Sequence, residues 1–249
     1  MSEVERVTED VVRVRASNAS AFTLGGTNSY IVRDWVVDPG PRDSSHVEAL
    51  LEAAGGRIDG IAITHRHLDH YGGAAELAER AGGVPVVWPV DGDDVGPFRA
   101  IATPGHSADH VALVYRKICF TGDAVLGLGS VFISAEGGGL TAYMYALRLL
   151  RSLDLELLCP GHGPVVRDPA AKLDEYIAHR MEREEKLIAA LDGGARSVDE
   201  LLAQAWDDVP PQLMEHVRPA AEATLAAHLE KLASEGRLPE GVERPGVSL

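Results

Sequence analysis

The sequence is poor in cysteine, in basic residues and in long apolar runs, and each shortage excludes a class of protein. Its 249 residues include two cysteines, Cys119 and Cys159. Two are too few for a disulfide framework, and both lie in apolar segments typical of a protein core. No apolar run approaches the roughly 18 residues that a membrane helix needs. The N-terminal segment is acidic and lacks the apolar stretch of a signal peptide. We therefore expect a cytoplasmic protein that does not bind membranes.

The scarcity of basic residues bears on the kind of partner. The chain has 23 Lys and Arg against 38 Asp and Glu, a formal charge of -15. That charge repels polyanions over most of the surface and disfavours broad nucleic-acid binding. Apolar residues make up 45% of the chain, which suffices for one large core, or for a large and a small one.

Short β-rich segments alternate with helical ones, which predicts the α/β class. Strands are predicted at 11–14, 29–32, 35–37, 61–64, 84–88, 99–102, 111–115, 118–121 and 155–159, and helices at 45–54, 74–80, 140–153, 169–191, a short segment from 197, and 220–234. Ser45 and Glu48 are spaced as a capping box at the first helix. The linker candidate is Asp192-Gly193-Gly194-Ala195. It predicts a catalytic domain over 1–192 and a C-terminal winged-helix-like domain over 193–249, with a Gly-turned hairpin at its end.

Seven side chains that can bind metal lie on turns after strand-like segments. Four of them fall on one strand-to-helix loop: His65, His67, Asp69 and His70. A single histidine is more often an ordinary polar residue, but this density favours a metal site. Three more candidates lie on glycine-containing turns that aim a side chain inward: His106, Asp123 and His162. Imidazole and carboxylate suit divalent metal ions, expected to be Zn²⁺, with Mn²⁺ or Fe²⁺ as alternatives.

These elements, in this order, resemble the motifs of the metallo-β-lactamase superfamily over about residues 10–165. The resemblance implies a four-layer αββα sandwich with two metals at one edge of two facing sheets. It implies a first metal held by His65, His67 and His106, a second held by Asp69, His70 and His162, and Asp123 and a hydroxide bridging both. It makes the chain a hydrolase in which Asp69, the candidate catalytic residue, would also orient the hydroxide or carry a proton to the leaving group.

The sequence differs from several branches of this superfamily, and each difference argues against the function of that branch. His67 stands where the di-iron redox branch has Glu, which favours hydrolysis. True β-lactamases lack a carboxylate like Asp123, which argues against antibiotic hydrolysis. Only 38 residues separate Asp123 from His162, too few for the inserted domain of the superfamily's large nucleases. The segment 126–130 lacks the Gly-Cys-Gly-Arg type sequence of hydroxyacylglutathione hydrolases. The chain is most similar to the lactamase-beta-like branch, whose animal member is a single-strand endoribonuclease.

Three functions stay open at this point. We expect hydrolysis of a small-molecule ester, thioester or lactone; the alternatives are a phosphodiesterase or single-strand endoribonuclease, and a non-enzymatic metal-binding sensor or interaction module. From residue 197 onward, four basic residues face ten acidic ones, which argues against a nucleic-acid-reading wing. We expect this C-terminal segment instead to pack against the rest of the chain, to cap a cleft or to form a homodimer contact.

Other polar residues carry weaker expectations. His110 is expected to support a ligand rather than to be one, and Asp38 is either a residue near the metals or an ordinary turn former. The helical histidines are expected to pack or to face solvent: His46, His179, His216 and His228.

Overall fold

The computed structural model describes residues 2–134 and 136–246. The chain forms two compact units. The first contains the residues up to Thr103, Asp109–Ser130 and Leu153–Ala170, and the second contains Pro104–Ala108, Val131–Ser152 and the residues from Ala171 onward.

Two mixed sheets build the first unit. Sheet 1 has the order β1-β2-β3-β4-β5-β6, and sheet 2 has the order β11-β10-β9-β8-β7. Sheet 1 consists of β1 (Glu3–Arg6), β2 (Val11–Arg15), β3 (Asn28–Val32), β4 (Trp35–Val37), β5 (Gly60–Ala62) and β6 (Val86–Val87). Sheet 2 consists of β7 (Asp94–Val95), β8 (Phe98–Ala102), β9 (Val111–Tyr115), β10 (Ile118–Gly122) and β11 (Leu157–Pro160).

Apolar side chains from both sheets form one core. Tyr30 of sheet 1 and Phe120 of sheet 2 meet edge to face with ring centroids 5.2 Å apart, and Phe98 packs on Phe120 at 5.7 Å. Aromatic pairs prefer this geometry, and it adds to the burial of the rings. Cys119 and Cys159 are buried, as the apolar runs around them predict.

Helices α1 (Ser44–Ala53) and α3 (Ala74–Arg80) cover sheet 1 through a second core that includes Val47, Leu50, Ile61 and Leu77. Between them lies the short helix α2 (Leu68–Tyr71). The predicted capping box of α1 is wrong, because the N-cap is Asp43, whose side chain accepts the N–H of Ser45. Asp is as good an N-cap as Ser, and the N-cap lies two residues earlier than predicted.

The second unit contains helices α4 to α7. They are α4 (Gly139–Ser152), α5 (Pro169–Asp192), α6 (Val198–Ala205) and α7 (Pro211–Ser234). The first two residues of α5 belong to the first unit. Leu187, Leu201, Leu225 and Leu229 lie in the core of this unit. A capping box of Ser197 and Glu200 begins α6. Helix α7 begins nine residues earlier than predicted, with Pro219 inside it.

Two strands were missed by the sequence pattern. β1 has exposed, mostly charged residues and lies at the edge of sheet 1, and β7 has two residues. Edge strands need no alternation of apolar residues, so the pattern does not reveal them. Within the described residues, no helix combines the length and the apolar composition needed to cross a bilayer.

Candidate metal centre

Two pairs of parallel strands bring the predicted ligand segments to the edges of the sheets. β4 and β5 are parallel neighbours, and they lead into Asp38 and the loop 63–67. β10 and β11 are also parallel neighbours, and they lead into Asp123 and His162. Because parallel neighbours end at the same edge of a sheet, the loops of each pair meet there.

One group of donors is closely spaced. The Nε2 atoms of His70 and His162 are 3.3 Å apart. Both face the same two carboxylates: Asp69 Oδ2 lies 3.6 Å from His70 and 3.3 Å from His162, and the oxygens of Asp123 lie 3.4 Å from each. Four predicted ligands therefore point their donor atoms at a common position.

A second group shares Asp123 with the first. One donor atom each of His65, His67 and Asp123 lie within 4.8 Å of one another. The ring of His65 lies 4.5 Å from that of His67 and 4.2 Å from that of His70. The structure thus brings together six of the seven predicted ligands within the first unit.

The imidazoles and carboxylates at this edge stabilise each other's charged forms. Burial lowers the pKa of His162, but Asp123 and Asp69 outweigh burial and raise it to about 9. Burial also lowers the pKa of His70, but Asp123 and Asp38 outweigh burial and raise that pKa well above its usual value. Burial raises the pKa of Asp69, but His162 and His70 lower it to about 2. Protons on these imidazoles occupy positions where a metal ion would be equally favoured.

Asp38, which the sequence left open, orients two of the predicted ligands. Its buried carboxylate accepts the Thr64 N–H at 2.8 Å, the Thr64 hydroxyl at 2.7 Å and His70 Nδ1–H at 2.8 Å. Since the Thr64 hydroxyl gives its one proton to Asp38, it accepts from His65 Nδ1–H at 3.0 Å. Both imidazoles therefore carry the proton on Nδ1 and present Nε2 as the donor for a metal.

His110 supports the turn that carries Asp123, in agreement with the expected supporting role. Its Nε2 accepts the Asp123 N–H at 3.0 Å, so its Nδ1–H donates to the Thr103 hydroxyl at 2.7 Å. Gly122 precedes Asp123 with φ +45°, and a Cβ there would lie 2.6 Å from Thr64 Oγ1 and 2.7 Å from His110 Nε2. Glycine is required at that position.

Two residues of β3, Asn28 and Tyr30, hold the turn that carries His162, and Thr27 just before them contacts Asp69. Asn28 donates from its side chain to the carbonyls of Pro160 at 2.9 Å and Gly163 at 2.8 Å, and from its backbone to Gly161 at 2.7 Å. The hydroxyl of Tyr30 donates to the Pro160 carbonyl at 2.8 Å. Thr27 donates to Asp69 at 3.2 Å. Sequence reasoning missed all three, although polar residues at the start of a fully buried strand are a usable signal.

His106, the seventh predicted ligand, belongs to the second unit, and its assignment stays a prediction. Its buried ring packs against Phe132 with centroids 4.8 Å apart. The segment around it is held by two backbone hydrogen bonds: Gly105 N–H donates to the Gly137 carbonyl, and Ser134 N–H donates to the Gly105 carbonyl. The stretch 131–134 is held in turn by Thr224 of α7, which accepts the Ile133 N–H at 3.2 Å, and by Arg180 of α5, which donates to the Val131 carbonyl.

The helical histidines lie outside these groups. His46 is buried between the hydroxyls of Ser2 and Ser29, at 3.0 and 2.8 Å, and burial lowers its pKa to about 4. His216 is exposed and contacts the Gln212 carbonyl. His179 and His228 pack in the second unit, where burial lowers the pKa of each.

Imidazoles and carboxylates converge at the edges of two mixed sheets. This arrangement is typical of metal-dependent hydrolases, and similarity to known proteins indicates the same class. The model of the metallo-beta-lactamase superfamily matches residues 22–91 and 87–162, and the model of the beta-lactamase associated winged helix domain matches residues 197–241. The chain belongs to the metallo-beta-lactamase superfamily and is a hydrolase of that fold. The predicted fold class, including the C-terminal winged helix, is confirmed. The predicted boundary at residue 192 stays a prediction.

Relatives agree over nearly the whole length. The chain is 32% identical to the Beta-lactamase-like protein 2 homolog of Drosophila melanogaster, covering 94% of this chain and 91% of that protein. It is 30% identical to the Atrochrysone carboxyl ACP thioesterase of Aspergillus chevalieri, and the alignment covers 96% of this chain and 85% of that protein. A beta-lactamase domain protein from Burkholderia ambifaria, 19% identical, has the same fold with a TM-score of 0.79 over 96% of this chain and 92% of that one.

Proposed function

We propose that this chain is a dinuclear metal hydrolase that cleaves an ester, thioester or lactone. The observation that carries the proposal is the convergence of Asp69, His70, Asp123 and His162. The Nε2 atoms of the two histidines are 3.3 Å apart, and each lies 3.3 to 3.6 Å from an oxygen of both carboxylates. Zinc bonds of about 2.0–2.2 Å to nitrogen and oxygen place neighbouring ligand atoms about 3.3–3.6 Å apart on a tetrahedron. The donor set therefore fits a divalent cation of that size.

The second group supports a second cation. His65, His67 and Asp123 supply three of its donors, and His106 would supply the fourth, as the sequence predicts. Asp123 belongs to both groups and would join them. Imidazole-rich donor sets favour zinc or iron over magnesium and calcium, and zinc is the metal we propose.

Bound divalent metals would supply water that ionises near neutral pH and would polarise the carbonyl of the substrate. The side chains of the protein orient the metal-binding atoms and transfer a proton from the attacking water to the leaving group. Asp38 and Thr64 set the tautomers of His70 and His65. Asp69 is partly exposed, with Thr27 donating to it, and in this proposal it would accept the proton of the attacking water. That proton passes to the leaving sulfur or oxygen as the new carbon–oxygen bond forms and the carbon–sulfur or carbon–oxygen bond breaks.

Charge and similarity favour an acyl substrate over a nucleic acid. The chain carries a formal charge of -15, which opposes binding of a polyanion. A relative that aligns with 96% of this chain is named a thioesterase. These observations support a thioester or ester as the substrate.

The test is hydrolysis by metal-free protein before and after Zn²⁺ is restored. Substrates are acyl thioesters, p-nitrophenyl esters, lactones, bis-p-nitrophenyl phosphate and labelled single-stranded RNA. We expect turnover of acyl substrates that needs metal and is lost in His162→Ala. His216→Ala is the matched control, since it removes an exposed histidine of α7. Cleavage of RNA alone would show instead that the chain is a nuclease.

A further inference from the structure

Three strongly exposed apolar side chains lie on the segments that carry or hold Asp69 and His162. Leu68, Phe22 and Leu128 are 68%, 57% and 63% exposed. A single exposed leucine means little, but exposed apolar side chains on several segments that adjoin one site indicate a surface for an apolar ligand. We call these three residues the apolar rim.

Leu68 belongs to the loop that carries His65, His67, Asp69 and His70, which we call the ligand loop. It is the first residue of α2 and lies directly between His67 and Asp69. Its neighbour Tyr71 packs on Trp88, with ring centroids 5.2 Å apart. An exposed leucine between two predicted ligands adds nothing to the core.

Phe22 lies at the tip of the loop 17–27, which is tied to the centre. Asn18 closes this loop through two hydrogen bonds with Thr27, and Thr27 donates to Asp69 at 3.2 Å. The Gly26 carbonyl lies 3.5 Å from Nδ1 of His162. The position of Phe22 is thus coupled to two predicted ligands.

Leu128 approaches the same turn from sheet 2. The N–H of the preceding Gly127 donates to the His162 carbonyl at 2.9 Å. A Cβ built on Gly163 would lie 3.1 Å from Leu128 N and 3.2 Å from Leu24 Cδ1. The loop that carries Phe22 and the loop that carries Leu128 therefore meet at Gly163.

The basic residue of the ligand loop already has partners within the protein, so it is not held ready for an anionic substrate. Arg66, the basic residue between His65 and His67, is paired with Asp109 at 3.6 Å and stacks on Trp88 at 5.1 Å. Its charge is already compensated by a carboxylate and an aromatic face.

We propose that the apolar rim binds the acyl chain of the substrate, so that the protein prefers thioesters and esters of medium-length, uncharged acyl groups to acetyl esters. This inference rests on the proposed hydrolase function and names its substrate class. Phe22, Leu68 and Leu128 are the residues that set the preference for acyl length.

The test uses the metal-loaded full chain with N-acetylcysteamine thioesters from acetyl to decanoyl. We expect kcat/KM to rise about two- to fourfold per added methylene until the rim is covered, as expected for a CH₂ that leaves water. In Phe22→Ser, Leu68→Ser and Leu128→Ser, the ratio of kcat/KM for decanoyl over acetyl should fall about tenfold. Val4→Ser and Val90→Ser are matched controls, since Val4 and Val90 are 53% and 63% exposed and lie outside these segments.

A second readout does not depend on turnover. The ketone analogue of the decanoyl thioester, with CH₂ in place of sulfur, should bind the unmodified protein and bind about tenfold more weakly to the rim variants. Turnover that is independent of acyl length, or equal losses in Val4→Ser and Val90→Ser, would overturn the inference and leave the hydrolase function standing. No turnover of any acyl substrate would overturn both.

Discussion

Asp38→Asn removes the carboxylate that orients two of the predicted ligands. The carboxylate accepts three hydrogen bonds, two from Thr64 and one from His70. The Thr64 N–H bonds to one carboxylate oxygen, whereas the Thr64 hydroxyl and His70 share the other. The backbone N–H of Thr64 cannot rotate away, so the amide oxygen keeps that bond and the amide NH₂ faces the Thr64 hydroxyl and Nδ1–H of His70, donor against donor. His70 must turn, or move its proton to the nitrogen that faces Asp123 and His162, and either change spoils a metal ligand.

The expected loss follows from the bond that disappears. A buried hydrogen bond to a charged group is worth about 1.5–3 kcal/mol, and losing that from metal binding raises the dissociation constant about 10- to 150-fold. This agrees with the roughly 10- to 100-fold cost of removing the partner of a ligating histidine. The assay is titration of metal-free protein with Zn²⁺ against a chromophoric chelator near neutral pH.

Asp43→Asn is the matched control, because Asp43 accepts two hydrogen bonds from Ser45 at the start of α1 and Asn caps helices equally well. It should bind Zn²⁺ as tightly as the unmodified protein. If Asp38→Asn also binds both metals with unchanged affinity, the orientation of His70 by Asp38 is not needed and the reasoning is refuted.

Three further changes test other parts of the structure. Gly161→Ala puts a Cβ 2.7 Å from Oδ1 of Asp123, and chelator competition should show Zn²⁺ bound about tenfold more weakly. Burial holds the pKa of His46 at about 4 against 6.5 in the unfolded chain, so its contribution to stability is complete above pH 6.5 and is lost as the pH falls to 4. Denaturant melts should show a loss of about 2–3 kcal/mol over that range, and His46→Gln should lack it. Thr224→Val removes the acceptor of the Ile133 N–H and should cost about 1–3 kcal/mol in the same melts, whereas Thr224→Ser should restore it.

Local patterns in the sequence predicted the ligand loop. His65, His67, Asp69 and His70 lie within six residues, so their proximity needs no knowledge of the fold. The turns with Asp123 and His162 were found because each follows an apolar strand and contains glycine. Their convergence depends on the parallel pairing of β10 with β11. That pairing was not predicted, and the convergence itself was expected only from the family resemblance.

The supporting network could not be predicted from local sequence. Asp38 contacts Thr64 across 26 residues, and Asn28 contacts Pro160 across 132. Such bonds exist only after the sheets have formed. A polar residue that opens or follows a buried strand signals some such role but does not name its partner.

Helix boundaries show where local rules compete. Asp43 and Ser45 are both good N-caps, and the structure uses Asp43. Pro219 favoured a helix that starts after it, yet α7 begins at Pro211 and includes Pro219. A proline in a helix interior removes one backbone hydrogen bond, and the packing of α7 in the core of the second unit compensates for that loss.

Metal stoichiometry tests the central claim most directly. Protein stripped of metal, saturated with Zn²⁺ and freed of excess should contain two equivalents by elemental analysis, and His162→Ala should retain fewer than the unmodified chain. A protein that retains no metal at saturating supply, or whose metal content is unchanged in His162→Ala, would contradict the claim that these imidazoles and carboxylates form a dinuclear hydrolytic centre.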